Sequence, residues 1–127
     1  MRVRDEIQTR FCDTDMIGHI NNTAIAQYAE IGRVGYFEAA ELPPRTMIIA
    51  RLEIDFVAQM HHGRPAWIET WTERVGRTSI GLAQSVYSDG VEVARIRAVG
   101  VYFDYERNVP REVPDELRAR LLSGERG

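Results

Sequence analysis

Hydrophobic and polar positions follow two different patterns along this chain. The first part of the chain, residues 3–40, has the pattern of a strand followed by a helix. Residues 3–11 read as one extended strand with apolar side chains mainly on one side. Residues 23–40 then repeat apolar positions every three or four residues, at Ile25, Tyr28, Ala29, Gly32, Tyr36 and Ala39. Asn21 or Asn22 is placed to cap this helix, and Pro43-Pro44 ends it. The pattern predicts a strand, a polar loop and one long helix.

After the helix the rhythm changes to a period of two, which is typical of strands. Alternation covers residues 47–58, 66–75, 78–87 and 91–104. In the first of these stretches it places one set of side chains on a common face: Ile48, Ala50, Leu52, Ile54 and Phe56. The Gly76-Arg77 and Asp89-Gly90 turns suit tight hairpins. A short helix over 114–122, with proline at its first position, closes the chain.

This order of elements limits the architecture. A single helix followed by antiparallel strands can be buried only if the sheet curls around it. Gly32 and Gly35 each cost roughly 1 kcal/mol relative to alanine inside a helix, which indicates close contact with another backbone. We therefore predict an α+β domain in which a long central helix is wrapped by a curved antiparallel sheet of about five strands.

Composition and charge narrow the class of protein. The 127 residues fit one domain, 1–127, and the net charge of −3 gives no reason to expect nucleic-acid binding. All 16 basic residues are arginine, which excludes catalysis by lysine. The single Cys12 cannot form an internal disulfide. No segment reads as a signal peptide or reaches the ~20 apolar residues of a membrane span. We expect a cytoplasmic protein without nucleic-acid or membrane partners.

The unusual segment is Asp13–Asn22, between the first strand and the long helix. Common catalytic signatures such as G-x-S-x-G, H-E-x-x-H, C-x-x-C and the P-loop are absent from the sequence. A helix N-terminus carries unpaired N–H groups and partial positive charge, which would stabilise an oxyanion. A carboxylate from the preceding loop could activate water or attack a carbonyl directly. The segment is therefore suited to acyl-transfer chemistry.

These residues resemble the hotdog thioesterases of the 4-hydroxybenzoyl-CoA thioesterase type. The resemblance covers nearly the whole chain: residues 10–15 and 18–22, the helix residues Tyr28, Glu30 and Arg33, and residues 52–56, 76–79 and 101–104. It implies a hotdog fold. It also implies a dimer as the minimal unit, with two sheets joined edge to edge and active sites at the interface; homotetramers are common in the family.

The activity that the resemblance implies is hydrolysis of an acyl-CoA to a free acid and CoA, without metal or cofactor. The family's catalytic carboxylate falls on Asp15, and the backbone N–H that polarises the carbonyl falls on Asn22. The Gly-His-x-Asn-Asn run also looks like acyl-carrier-protein thioesterases, which makes His19 a third catalytic candidate. Two alternatives stay open: a thioesterase acting on acyl-carrier-protein, and a non-catalytic acyl-CoA-binding module.

Further residues are candidates for substrate contacts: Gly18, Asn21, Tyr28, Phe56, Arg64 and Arg77. The two arginines sit at predicted turns, where they could hold CoA phosphates or simply be solvated. Asp13 is expected to cap a turn or to pair with an arginine such as Arg10. His61-His62 stands where family members often carry Gly-Asp, and we expect exposed turn residues there rather than metal ligands.

Overall fold

The elements follow the predicted order. The structure, a computed structural model, describes residues 1–124. Its strands are β1 (Arg2–Ile7), β2 (Met47–Phe56), β3 (Ala66–Val75), β4 (Ser79–Ser88), β5 (Val91–Asp104) and β6 (Val109–Pro110), and its helices are α1 (Asn22–Ala39) and α2 (Asp115–Leu122). The strands form one antiparallel sheet in the order β1-β3-β4-β5-β2, and β6 pairs with β5. The predicted α+β architecture is confirmed, with six strands in place of about five.

The core lies between α1 and the sheet. One cluster of buried apolar side chains surrounds the first half of α1 and includes Ile25, Ala29, Ile68, Val86 and Ile96. A second cluster joins the other half of α1 to α2 and includes Tyr36, Ile80, Leu82, Leu117 and Leu121. Apolar burial along the whole helix fixes where its N-terminus lies. Among residues 1–124, no helix combines the length and the apolar character needed to span a membrane.

The two glycines of α1 lie at close contacts, as predicted, but the contacts are with side chains rather than with backbone. A Cβ atom on Gly32 would lie 3.0 Å from atoms of the Ile68 and Gln84 side chains. A Cβ atom on Gly35 would lie 2.6 Å from Oδ2 of Asp5. Separations this short are repulsive, so both positions depend on the missing Cβ.

One boundary of the sequence prediction and part of one predicted helix face are wrong. β1 ends at Ile7, and residues 11–13 form a short 3₁₀ turn instead of continuing the strand. The reason is local: the N–H and guanidinium of Arg10 donate to the carboxylate of Asp13, and these bonds curl the chain. On α1, Ala39 is exposed, whereas Arg33 occupies a position on the buried face at 7% exposure.

β2 forms one edge of the sheet, and its alternation is interrupted. The register between β2 and β5 shifts between Ile49 and Arg51, so Ala50 has no partner residue. Before this bulge Met47 and Ile49 pack toward the core, and after it Ile54 does so. The predicted common face is therefore wrong for its first half, because a bulge moves the following side chains to the opposite face of the strand.

Candidate active site

Asp15 lies in a small hairpin that precedes α1. Thr14 and Ile20 form a β-bridge, and the N–H of Asp15 donates to the carbonyl of His19 at 2.8 Å. The hairpin turns at Gly18, whose φ of 90° is a conformation that glycine adopts at no steric cost. The loop is therefore ordered by its own backbone before any substrate binds.

The two oxygens of the Asp15 carboxylate have different surroundings. Its Oδ1 accepts hydrogen bonds from the N–H groups of Ile17 and His19, at 2.9 and 3.0 Å. These bonds hold the pKa of Asp15 below its ordinary value, so the group is ionised at neutral pH. No hydrogen bond within residues 1–124 uses Oδ2 of this exposed side chain. One oxygen fixes the loop, and the other is open to a reactant.

The N-terminus of α1 points its donors into the same region. Oδ1 of Asn21 accepts the N–H of Ala24 at 2.7 Å, as an N-cap residue does. The N–H of Asn21 itself donates to the carbonyl of Asp13. The N–H of Asn22 is the first of the helix, and within the described residues it has no acceptor. It is a preformed donor beside the Asp15 loop.

Asp13 connects the start of the Asp15 loop to α1 through its side chain. Its buried carboxylate accepts from the guanidinium of Arg10 at 2.9 Å and from the hydroxyl of Tyr28 at 2.5 Å. The bond from Arg10 is the main reason that the pKa of Asp13 lies below its usual range. The expected pairing of Asp13 with Arg10 is confirmed. Tyr28, a sequence candidate for substrate contact, is 3% exposed and serves this buried network instead.

The segment after β2, residues 57–60, lies against the Asp15 hairpin. A bulge in β5 directs the carbonyl of Val93 toward the N–H groups of Val57 and Ala58, at 2.9 and 3.3 Å. Two residues later the carbonyl of Met60 accepts the N–H of Ile20 at 2.7 Å. The Asp15 hairpin is thereby joined to the main sheet.

His61 takes part in this junction and is only half-exposed, which corrects the expectation for that residue, whereas His62 lies exposed in a turn as expected. His19 and His61 form a β-bridge, and their rings lie edge to face with centroids 4.8 Å apart. Nδ1 of His62 is 2.9 Å from the hydroxyl of Thr9. Within residues 1–124, no group of three or more His, Cys, Asp or Glu side chains is arranged to hold a metal ion.

Five of the nine sequence candidates line one pocket of about 510 Å³: Asp15, His19, Asn21, Asn22 and Phe56. Gly18 forms the turn of the adjoining hairpin. The remaining lining comes from Ile20, Ile25 and residues 57–60. Sequence reasoning missed residues 57–60, because their place depends on the Val93 bulge.

Arg64 and Arg77 lie apart from this pocket and from each other. Arg64 follows the His61-His62 turn and pairs with Asp89 at 3.1 Å, whereas Arg77 pairs with Glu112 at 3.1 Å. They flank opposite ends of the ten-residue β3, which spans roughly 30 Å at about 3.3 Å per residue. Within one chain, the two arginines do not serve one site.

Comparison with known families gives a consistent match. The sequence profile of the thioesterase-like superfamily matches residues 9–121. The uncharacterized protein YsmA of Bacillus subtilis is 30% identical over 82 residues, which are 61% of this chain. Those residues span 56% of the length of YsmA.

Solved structures share the fold over almost the full chain. A predicted thioesterase from Bacillus stearothermophilus is 33% identical with a TM-score of 0.89, covering 97% of this chain and 96% of that chain. A thioesterase from Thermus thermophilus, complexed with coenzyme A and Zn, is 27% identical with a TM-score of 0.85, at 94% and 96% coverage. A mutant 4-hydroxybenzoyl-CoA thioesterase bound to 4-hydroxybenzoyl-CoA is 21% identical with a TM-score of 0.84, at 94% and 98% coverage.

Proposed function

Because this chain belongs to the thioesterase-like superfamily, we propose that it hydrolyses the thioester of an acyl-CoA to a free acid and CoA. The observation that carries this proposal is the pairing of Asp15 with the N-terminus of α1 in one pocket. The coenzyme A complex of the Thermus thermophilus relative supports CoA as the carrier of the acyl group.

Asp15 supplies the carboxylate in the proposed reaction. Two backbone N–H groups hold Oδ1, so Oδ2 is the atom that would act on water as a general base or attack the thioester carbon directly. Its lowered pKa keeps it charged at neutral pH, which both routes require. The hairpin limits its motion, and fixed geometry is itself a source of rate enhancement.

The N–H of Asn22 is the proposed partner of the thioester oxygen. As the reaction proceeds, that oxygen becomes an oxyanion, and a helix N-terminus stabilises negative charge. The free donor is preorganised, because Asn21 caps the helix through Ala24 and leaves the first N–H unused. The backbone N–H of His19 donates to the carboxylate, and His19 is one of the residues that line the pocket.

We also propose that the protein acts as a homodimer, or as a dimer of dimers, formed through β2. This edge strand has ten residues, and its Leu52 and Phe56 are 41% and 43% exposed. The opposite edge, β1, has six residues and carries the exposed charged side chains of Arg2, Arg4 and Glu6. β2 also carries exposed Arg51, Glu53 and Asp55, so its greater length and its exposed apolar side chains, rather than an absence of charge, favour pairing there. Light scattering on the purified chain measures the assembly.

The decisive experiment is thiol release from a panel of acyl-CoAs, with wild type and Asp15→Asn assayed together. The panel covers short, medium and long chains and one aromatic acyl group. Asparagine retains an oxygen that can accept the loop hydrogen bonds but removes the negative charge. We expect turnover by wild type and a loss of about 10²–10⁴-fold in kcat for Asp15→Asn, with folding unchanged.

Asp104→Asn is the matched control. Oδ1 of Asp104 also accepts two backbone N–H groups, from Glu106 and Arg107, and these bonds lower its pKa in the same way. This variant should keep wild-type turnover. Equal loss in both variants would contradict the assignment to Asp15. Turnover only with the acyl group on carrier protein would change the substrate. Tight binding of acyl-CoA without turnover would indicate a binding module.

A further inference from the structure

Gln59 is a polar residue of the Asp15 pocket that has no part in the reaction as proposed so far. It lies in the segment after β2, it lines the pocket, and its side chain is exposed. Within residues 1–124 its carboxamide makes no hydrogen bond. A carboxamide carries two N–H donors and an acceptor oxygen, so Gln59 brings unused donors into the pocket.

The backbone on both sides of Gln59 is held in place. Before it, the N–H groups of residues 57–58 donate to the carbonyl of Val93 at 2.9 and 3.3 Å. After it, the carbonyl of Met60 accepts the N–H of Ile20 at 2.7 Å, and the side chain of Met60 is 1% exposed. The position of Gln59 is therefore set by its neighbours, and only its side chain has to orient toward a reactant.

Strand register brings Gln59 close to the N-terminus of α1. His19 and His61 form an antiparallel bridge. Continued by two residues along each segment, this register brings Gln59 next to Asn21. The following residue is Asn22, whose N–H is the donor proposed for the thioester oxygen. Because Asn22 and Gln59 line the same pocket from different segments, their donors approach one reactant from two sides.

Neighbouring backbone donors are already used. The N–H of Asn21 donates to the carbonyl of Asp13 at 3.0 Å, and the N–H of His19 donates to the carboxylate of Asp15 at 3.0 Å. An oxyanion accepts more than one hydrogen bond, and loss of one donor from such a site costs about 10²–10³-fold in kcat. A side chain is therefore needed to complement the N–H of Asn22.

Among the side chains of the pocket, Gln59 fits this role best. The carboxamide oxygen of Asn21 caps α1, and the ring of His19 lies edge to face against His61. The side chain of Asn22 starts from the residue that already supplies the first donor, so it approaches the oxygen from the same side. Gln59 is free of such contacts and belongs to the opposite wall.

We propose that Nε2 of Gln59 donates a second hydrogen bond to the thioester oxygen, across from the N–H of Asn22. This inference rests on the proposed hydrolysis. When water or Asp15 attacks the thioester carbon, the C=O electron pair moves onto the oxygen, and both donors hold the oxyanion. Its collapse breaks the C–S bond and releases the CoA thiolate. In the general-base route the proton of the attacking water goes to Asp15, and Gln59 gives up no proton.

The test is steady-state thiol release by the full-length chain on its best acyl-CoA, with wild type and Gln59→Leu compared. Leucine is of similar size but has no donor. We expect kcat to fall about 10²-fold and KM to stay within about twofold, because the donor acts on charge that develops in the transition state. Gln27→Leu is the matched control and should keep the wild-type kcat. Gln27 is also exposed, but it does not line the pocket.

Gln59→Glu adds a readout that a purely structural role would not change. A carboxylate has no donor, so kcat at about pH 7.5 should fall at least as far as in Gln59→Leu. A protonated carboxyl group is a donor, and glutamic acid ordinarily titrates near pH 4.3. The kcat of Gln59→Glu relative to wild type should therefore rise about tenfold between about pH 7.5 and 4.5. Gln59→Leu should show no such rise.

Failure of this inference is distinguishable from failure of the proposed function. Equal kcat in wild type and Gln59→Leu, with Asp15→Asn inactive, would remove Gln59 from the reaction and leave the hydrolysis in place. A rise in KM at unchanged kcat would assign Gln59 to ground-state binding and overturn its role as an oxyanion donor. An equal loss in Gln27→Leu, or no recovery of Gln59→Glu at low pH, would also overturn that role. Absence of turnover by wild type on every acyl-CoA would overturn the hydrolysis and this inference together.

Discussion

The imidazole rings of His19 and His61 lie edge to face, with their centroids 4.8 Å apart. The two residues belong to different segments, the Asp15 hairpin and the turn that precedes β3, and their backbones form a β-bridge. The ring contact and the hydrogen bond from the N–H of Ile20 to the carbonyl of Met60 both hold the Asp15 hairpin against residues 60–61. We therefore expect His61 to affect catalysis, although it does not line the Asp15 pocket.

Replacing His61 with alanine should loosen the Asp15 hairpin, because an aromatic pair is worth about 0.5–1.5 kcal/mol. We expect kcat/KM on the best acyl-CoA to fall by up to about tenfold. His61→Phe keeps a ring against His19 and should restore most of the rate. His62→Ala, whose ring contacts Thr9 instead, is the control for general effects in the turn. Equal activity of His61→Ala and wild type would show that the ring contact is not needed.

The acid limb of the pH profile should reflect the environment of Asp15. Hydrogen bonds from the N–H groups of Ile17 and His19 lower its pKa in the folded protein below the ordinary value of 3.8. The carboxylate therefore remains charged as pH falls, and kcat/KM should decline only below about pH 3.8. Brief exposure to acid in rapid-mixing assays, with folding followed by circular dichroism, measures this limb. A midpoint above pH 5 in folded protein would contradict the geometry of the hairpin.

Tyr28→Phe should test whether Tyr28 is structural. The change removes the hydroxyl that donates to the buried Asp13 at 2.5 Å. Hydrogen bonds to charged groups contribute roughly 1.5–3 kcal/mol, so the free energy of unfolding in urea should fall by about that amount. Tyr105→Phe removes an exposed hydroxyl that donates to the carbonyl of Met47, and it should cost less than about 0.5 kcal/mol. A selective rise in KM without loss of stability would return Tyr28 to the substrate contacts.

Asp5→Asn should stabilise the protein at neutral pH. Oδ2 of Asp5 is buried beside Gly35 without a hydrogen-bond partner within residues 1–124. Burial, and then the charge of Glu38, raises the pKa of Asp5 in the folded state. Stability from this group is present below the unfolded pKa and is lost as pH rises through the folded value. Asparagine carries no charge, so we expect a gain of about 1 kcal/mol at pH 7.5.

The pH dependence of this gain is its check. Near pH 3 both states of the wild-type carboxyl are protonated, and the difference in thermal midpoint between wild type and Asp5→Asn should disappear. Glu6→Gln, at the exposed neighbouring position of β1, should change stability little at either pH. A constant difference at both pH values would mean that charge is not the cause.

Much of the fold was determined by the sequence alone, because the patterns concerned are local. The 3.6-residue repeat of α1 and the alternation of β3 and β5 follow from the face that each element buries, whereas β4 is buried on both faces. Asp15, Asn21 and Asn22 could be chosen as site residues because a loop before a helix N-terminus brings them together over a short stretch of chain. The pairing of Asp13 with Arg10 is also local, three residues apart.

The tertiary structure decided what depends on contacts between distant segments. The bulge at Val93 places residues 57–60 in the Asp15 pocket, and the bulge at Ala50 turns Met47 and Ile49 toward the core. His61 meets His19 across 42 positions, and Arg33 meets Gln84 across 51. Such long-range pairs leave no periodic pattern in the sequence, because each depends on strand register and on how the helix packs against the sheet. Local order follows from the sequence, whereas the junction between the Asp15 hairpin and residues 57–61 exists only in the folded chain.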